Sequence, residues 1–300
     1  MKWEKLGQLY TLRSLTDWMV SHSANPTAEH LYEDVFRIYF SCRDKENRSS
    51  ISYIDYDIIK QELVAESRVQ VLAPGPLGAF DDAGCSIGCI INTIDNKKYL
   101  YYMGWHLCVS VPWSNYTGLA VWSESKRIFE KYQFTPIMDR TEIDPYSISY
   151  PSIIHEDSVY KMWYGSNLSW GREKQEMNHV IKYAESKDGI KWDTTGHVCI
   201  QGKDESEYAF ARTCVLLDGD GVYKMWYSYR GSTYRIGYAE SGDGLKWIRM
   251  DDQVGIDVSN SGWDSEMIEY PFVFDHKDKR YMLYAGNSFG KTGFGLAVLV

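Results

Sequence analysis

Val159-Tyr160-Lys161-Met162-Trp163-Tyr164 and Val222-Tyr223-Lys224-Met225-Trp226-Tyr227 are one hexapeptide written twice, 63 positions apart from Trp163 to Trp226. Each copy is followed by a second shared run. Tyr183-Ala184-Glu185-Ser186-Lys187-Asp188-Gly189-Ile190-Lys191-Trp192 follows the first, and Tyr238-Ala239-Glu240-Ser241-Gly242-Asp243-Gly244-Leu245-Lys246-Trp247 follows the second. Two different motifs recurring in one order mark a duplicated structural unit. Its β-branched and aromatic content, bounded by Asp-Gly turns, reads as strands.

Weaker copies lie on either side: Phe36-Arg37-Ile38-Tyr39-Phe40, Tyr99-Leu100-Tyr101-Tyr102 and Arg280-Tyr281-Met282-Leu283-Tyr284. Each unit reads as an apolar strand, a polar turn such as Asp218-Gly219-Asp220-Gly221, an aromatic strand, a third strand and an outer strand opened by a tryptophan. Four antiparallel strands repeated radially describe a propeller blade, so the expected fold is all-β: a five-bladed β-propeller in a single domain spanning residues 1–300. The last unit runs out at its third strand, Phe294–Val300, while Trp3–Leu12 resembles an outer strand with no unit of its own. Pairing of the two would close the ring and remove two open sheet edges. Ile58–Glu66 is the one stretch whose pattern is compatible with a helix.

Composition narrows the function. Aromatic residues make up 15% of the chain, with 24 Tyr and 11 Trp, which suits both sheet packing and stacking on sugar rings. The net charge of −9 and the absence of a dense Lys/Arg run argue against nucleic acid as a partner. No stretch has the apolar length of a membrane span, and Met1-Lys2-Trp3-Glu4-Lys5 does not open a signal peptide, so the expected location is cytoplasmic. The six cysteines are scattered and read as reduced; neither a metal site nor a cofactor motif is visible.

With the repeated YKMWY strands, the Tyr-Ala-Glu-Ser-x-Asp-Gly-x-x-Trp units and the pairs Tyr150-Pro151 and Tyr270-Pro271, the sequence resembles the five-bladed propeller glycosidases of families 43, 32 and 130. The resemblance spans essentially the whole chain and is more specific for fold than for reaction. It implies catalytic carboxylates near the starts of the innermost strands. Candidates by position are Asp17, Asp82 beside Asp81, Asp144, Glu266 and Glu269. The fourth unit has Phe210-Ala211-Arg212-Thr213 where a carboxylate would stand, so the family 43 arrangement is not intact. Glu269, at the head of an inner strand where a charge is costly unless used, is the best candidate for general acid, with Asp17 or Asp82 facing it.

A count independent of the resemblance gives binding residues. Three positions past the last aromatic of each second strand stand Arg43, Trp105, Asn167, Arg230 and Asn287, which should ring one end of the channel. Arg212 joins Arg43 and Arg230 as a possible cationic group for phosphate or carboxylate, unless these arginines pair with nearby acids. His22, Trp18, His106, Tyr150 and Tyr270 fall near the same end. Asp188 and Asp243 read as structural turn residues. The expected partner is therefore a small carbohydrate or glycan, anionic or accompanied by phosphate. The expected activity is glycoside hydrolysis or phosphorolysis, with a non-catalytic carbohydrate-binding propeller as the alternative.

Overall fold

The repeated hexapeptide is a strand buried on both faces, which explains why it is so uniformly apolar. In the computed structural model, which describes residues 1–171 and 177–300, Tyr160, Met162 and Tyr164 pack into one core cluster and Trp163 into the next. The second copy repeats this, with Tyr223, Met225 and Tyr227 on one side and Trp226 on the other. Alternation with period two thus joins neighbouring sheets face to face.

The chain opens with β1 (Trp3–Tyr10) and continues through β2 (Ser21–Tyr32), β3 (Val35–Arg43), β4 (Ser49–Asp57) and β5 (Glu62–Glu66). The second unit holds β6 (Gly84–Asn92), β7 (Lys98–Leu107), β8 (Trp113–Ser123) and β9 (Ile128–Lys131). The third holds β10 (Ile148–Glu156), β11 (Val159–Ser169), β12 (Asn178–Ser186) and β13 (Asp193–Ile200). The fourth holds β14 (Ala209–Leu217), β15 (Tyr223–Arg230), β16 (Tyr234–Ser241) and β17 (Ile248–Arg249), and the last β18 (Glu269–His276), β19 (Lys279–Ala285) and β20 (Phe294–Leu299). The third and fourth units are separate four-stranded sheets; β2 to β9 are two antiparallel sets joined by one parallel contact between Ser49 and Gly84. The first strands touch in the cyclic order β2, β6, β10, β14, β18 and back to β2, which leaves a channel along their common axis.

β1 completes the last sheet in the order β1-β20-β19-β18, with Trp3 opposite Leu299 and Tyr10 opposite Phe294, as the missing outer strand requires. The helix-compatible stretch is not helical. Ile58 begins a turn, and Glu62–Glu66 pairs with β4, because an outer strand is the only covering that edge has.

Within the sheets a buried polar staple recurs. The hydroxyl ending the second strand donates to an aspartate that also holds a cation. Tyr102 donates to Asp81 at 3.0 Å, with Lys131 at 2.6 Å; Tyr164 to Asp144 at 2.8 Å, with Lys182 at 2.9 Å. Tyr284 donates to Asp264 at 3.1 Å, with Lys5 at 2.7 Å, and Tyr227 to Asp251, with Arg249 at 2.7 Å. Each ring needs room. Gly118 and Gly237 lie opposite Tyr102 and Tyr227, where a Cβ would overlap the ring. In β3 the equivalent residue is Phe40, and no hydroxyl is available.

The closing strand is anchored by Trp3, which is buried and meets Trp226 edge-on at 6.2 Å. Trp3→Ala is expected to lower the unfolding free energy by about 3–5 kcal/mol in urea titration. A loss under about 1 kcal/mol would show that β1 is not held by this contact.

Candidate functional site

Every first strand carries a β-bulge close to its channel-mouth end. The pairing slips between Ala24 and Thr27, Ile87 and Cys89, Ser149 and Ser152, Ala211 and Cys214, and Glu269 and Phe272. At four of these the chain turns left-handed, with φ of 55° at Asn25, 41° at Tyr150, 41° at Arg212 and 56° at Tyr270. Proline follows three of the four, at Pro26, Pro151 and Pro271, and removes a backbone donor where the ladder is broken anyway. Such conformations cost about 1–3 kcal/mol each and collect where side chains must be aimed. Immediately before the bulges stand Ala24, Ser86, Ser149, Ala211 and Glu269, so this ring of equivalent positions holds one acid.

A cavity of about 490 Å³ opens at this end. Five of the expected binding residues line it: Arg43, Trp105, Tyr150, Arg230 and Tyr270. Trp105 is fixed by its indole N–H, which donates to Ser49 Oγ at 2.9 Å. Arg230 lies between the rings of Tyr208 and Tyr234, 5.7 and 5.5 Å from their centroids. The count past the aromatic strand missed His179, Tyr234 and Glu46, which also line the cavity. His179 pairs across the strand with Asn167, so its place follows from register, which the sequence does not display.

Glu269 is fully buried, and neither carboxylate oxygen has a hydrogen-bond partner of ordinary geometry. Burial raises its pKa well above 4.5, against the opposing pull of the Arg230 and Arg43 charges and the Tyr270 hydroxyl. Tyr150 and Tyr270 face each other beside it with ring centroids 5.6 Å apart. Burial lowers the pKa of His179 to about 4, so its imidazole is neutral, with Nε2 unpartnered. The arrangement can hold a proton on one carboxyl next to two guanidinium groups.

The remaining candidates lie elsewhere. Asp144 is committed to the staple with Tyr164, Ser166 and Lys182, as Asp81 is with Tyr102 and Lys131. Asp82 accepts from the Gly78 N–H in a turn; Asp17 and Glu266 are exposed on loops before their strands. Trp18 packs against the outer core, and His106 turns away from the cavity to stack on Tyr116 at 5.8 Å. Arg212 is buried within the channel, where it donates to the Ile87 and Pro26 carbonyls and to Thr27 Oγ1, and so ties three first strands together. Asn287 accepts the N–H groups of Glu266 and Met267 and props the approach to Glu269. Asn167 is buried beside His179 with its amide unpartnered. His22 is half-buried near Arg43, its pKa lowered to about 4 by burial and by the charges of Arg43 and Lys291. Asp188 and Asp243 bind their own turns, each accepting two backbone N–H groups. Among the described residues no cluster of His, Cys, Asp and Glu could hold a metal ion, and no helix is long and apolar enough to cross a membrane.

Comparison with known proteins gives the chain relatives over its whole length. It is 47% identical over 300 residues to "Uncharacterized protein MT1551" of Mycobacterium tuberculosis strain CDC 1551, covering 100% of this chain and 99% of that protein. It is 46% identical, with the same coverage, to "Uncharacterized protein Rv1502" of strain H37Rv. The chain belongs to their family. No family model matches it. Among solved structures it superposes on a BT0996 complex with RGII with a TM-score of 0.76 at 15% identity, covering 98% of this chain and 90% of that one. A thermostable family-43 glycoside hydrolase gives 0.66 at 16%, over 96% and 91% of the two chains. A structure from the GH130 family of mannoside phosphorylases, which contains glycoside hydrolases targeting β-1,2 mannosidic linkages in Candida mannan, gives 0.69 at 16%, over 94% and 85%. The fold is that of the propeller glycosidases.

The buried acid makes stability depend on pH in a defined direction. Above pH about 4.5 the unfolded chain releases the Glu269 proton while the folded chain keeps it, so folding binds a proton and stability falls as pH rises until Glu269 ionises in place. In Glu269→Gln this contribution is gone. The unfolding free energy of the variant relative to the parent should therefore grow with pH, by up to about 1.4 kcal/mol per unit above pH about 5. A constant difference between pH about 5 and 8 would mean that Glu269 is already charged in the fold.

Proposed function

We propose that this protein is a five-bladed propeller that cleaves or transfers a glycosidic bond at the mouth of its channel, with Glu269 as the group that protonates the leaving oxygen. The observation that carries this reading is the ring of five equivalent positions in which Glu269 alone is acidic, fully buried and unpartnered beside the cavity. A carboxyl that keeps its proton near neutral pH is the chemical requirement for a general acid. Trp105, Trp113, Tyr150 and Tyr234 give the cavity aromatic walls suited to sugar faces, and its volume is that of a small glycan site. The likeness to glycoside hydrolases and to the family of mannoside phosphorylases supports the same substrate class.

Glu269 would donate its proton to the glycosidic oxygen as the bond to the anomeric carbon breaks, while Arg230 and Arg43 stabilise the carboxylate left behind. The attacking group is not supplied by a second acid in this ring. Glu46, on the loop between β3 and β4, is the other carboxylate at the cavity and would serve as base if water attacks. The same single-acid ring favours the second reading, a carbohydrate-binding propeller without turnover.

A panel of aryl glycosides, assayed with and without phosphate, tests the proposal. Turnover by the parent should fall about 10²–10⁴-fold in Glu269→Gln while sugar affinity changes little, because the amide keeps the shape and loses the transferable proton. Turnover at the parental rate would remove Glu269 from the chemistry. Sugar binding without turnover in either protein would assign the binding reading.

A further inference from the structure

Resting on that reading of the channel mouth as a glycan site, we propose that Arg43 and Arg230 form an anion subsite there, taking a phosphate-class group that enters with the sugar or as the attacking group. The first observation is a contrast among arginines. Arg37 pairs with Asp55, Arg249 with Glu207 and Asp251, and Arg280 with Asp218 and Asp275. Arg212 has no acid, but its N–H groups go to two carbonyls and a hydroxyl. Arg43 and Arg230 have neither arrangement. Among the described residues no salt bridge reaches either one, and the side chain of Arg43 has a single long hydrogen bond, 3.5 Å to Asn47 Oδ1. In a chain of net charge −9 two half-buried, unneutralised guanidinium groups in one cavity are a built feature.

The second observation concerns donors already held in place. Arg230 Nε is buried without a partner, while Tyr208 and Tyr234 fix the guanidinium by its faces, which leaves its in-plane N–H groups for a ligand. His179, more than nine-tenths buried, lines the same cavity with Nε2 unpartnered. Planar guanidinium groups that converge on one cavity match a tetrahedral oxyanion by paired N–H bonds. The other charged groups at the cavity are Arg48, Glu46 and Glu269. Arg48 is paired with Asp44 at 2.9 Å and with Glu46 at 3.4 Å, which takes up the Glu46 charge. A protonated Glu269 adds no negative charge to oppose an anion, and it has a proton to offer one.

Neutralising the arginines with acids, as elsewhere in the fold, would have cost the site nothing had its substrate been an uncharged sugar. Their isolation is explained if the ligand supplies the counter-charge. The arginines are then specificity determinants: they favour a glycosyl phosphate, or a sugar bound together with inorganic phosphate, over a neutral glycoside.

Calorimetric titration of the full chain with inorganic phosphate, glucose 1-phosphate and methyl glucoside tests this without requiring turnover. Phosphate-bearing ligands should bind at least about tenfold more tightly than methyl glucoside, and Arg230→Gln and Arg43→Gln should each lose about tenfold or more of that affinity. Circular dichroism and the affinity for methyl glucoside report whether the variants keep the fold. Saturation by inorganic phosphate alone would identify a separate phosphate; tight binding confined to glucose 1-phosphate would place the anion on the sugar. Equal affinity for charged and neutral ligands, or phosphate binding unchanged in both folded variants, overturns the subsite. Turnover of a neutral glycoside that depends on Glu269, without any phosphate binding, would overturn the subsite and leave the glycan reading standing.

Discussion

Pairing of β1 with β20 is the constraint on which the rest of the molecule depends. A ring of sheets is stable only if its first and last edges meet, since an open ring would expose two rows of unpaired backbone groups and unseat the inner strands. Here the closing strand also supplies chemistry. Lys5 of β1 reaches Asp264, the acid that accepts from Tyr284, so the staple of the last sheet is completed by the first residues of the chain. That sheet carries Glu269 on β18. The position of the candidate acid is therefore fixed by contacts between residues almost 300 positions apart, and it follows whatever happens to the closure.

The staples separate stability from function. Each satisfies a buried tyrosine hydroxyl and a buried aspartate with a cation, so the polar atoms inside the sheets are accounted for without the channel. The channel mouth has the opposite character. Glu269 Oε1 and Oε2, Arg230 Nε, His179 Nε2 and Asn115 Oδ1 are all buried and unpartnered, and the inner strands that carry this end are bent into left-handed turns. Strain and unpaired polar atoms concentrate in one place, and the stapled sheets around them make that concentration tolerable.

The sequence displays the fold well because repetition is explicit in it. Two exact hexapeptides and the Asp-Gly-x-x-Trp turns disclose the strand order, and the missing outer strand of the last unit discloses the closure. The site is legible where a candidate sits inside a regular ladder: counting three residues past the aromatic strand finds Arg43, Trp105 and Arg230, because those positions remain in strands that share a register. It fails at Asn287, since β19 stops at Ala285 and the chain leaves the ladder before the count ends. Asp144 misleads for a different reason. An aspartate before an inner strand looks alike whether it faces a channel or a buried Tyr-Lys pair, and only the distance from Lys182 separates the two. Asn25-Pro26 is a further bulge of the Tyr150-Pro151 type, concealed because asparagine takes the left-handed turn in place of tyrosine.

What distinguishes this channel is its balance of charge. A carboxyl buried without hydrogen bonds would ordinarily lose its place to a neutral residue, because ionising it costs too much and keeping it neutral leaves two polar oxygens unsatisfied. Arg43 and Arg230 lower the first cost and leave the second in force. The carboxyl is thereby kept protonated at rest yet able to release its proton once a ligand accepts it, since the charge that appears is then met by two guanidinium groups already in place. Removing the arginines would strengthen the hold of Glu269 on its proton; adding an acid beside them would forfeit their charge. The pair and the acid make physical sense only together, as parts of one site that waits for its third member from outside the protein.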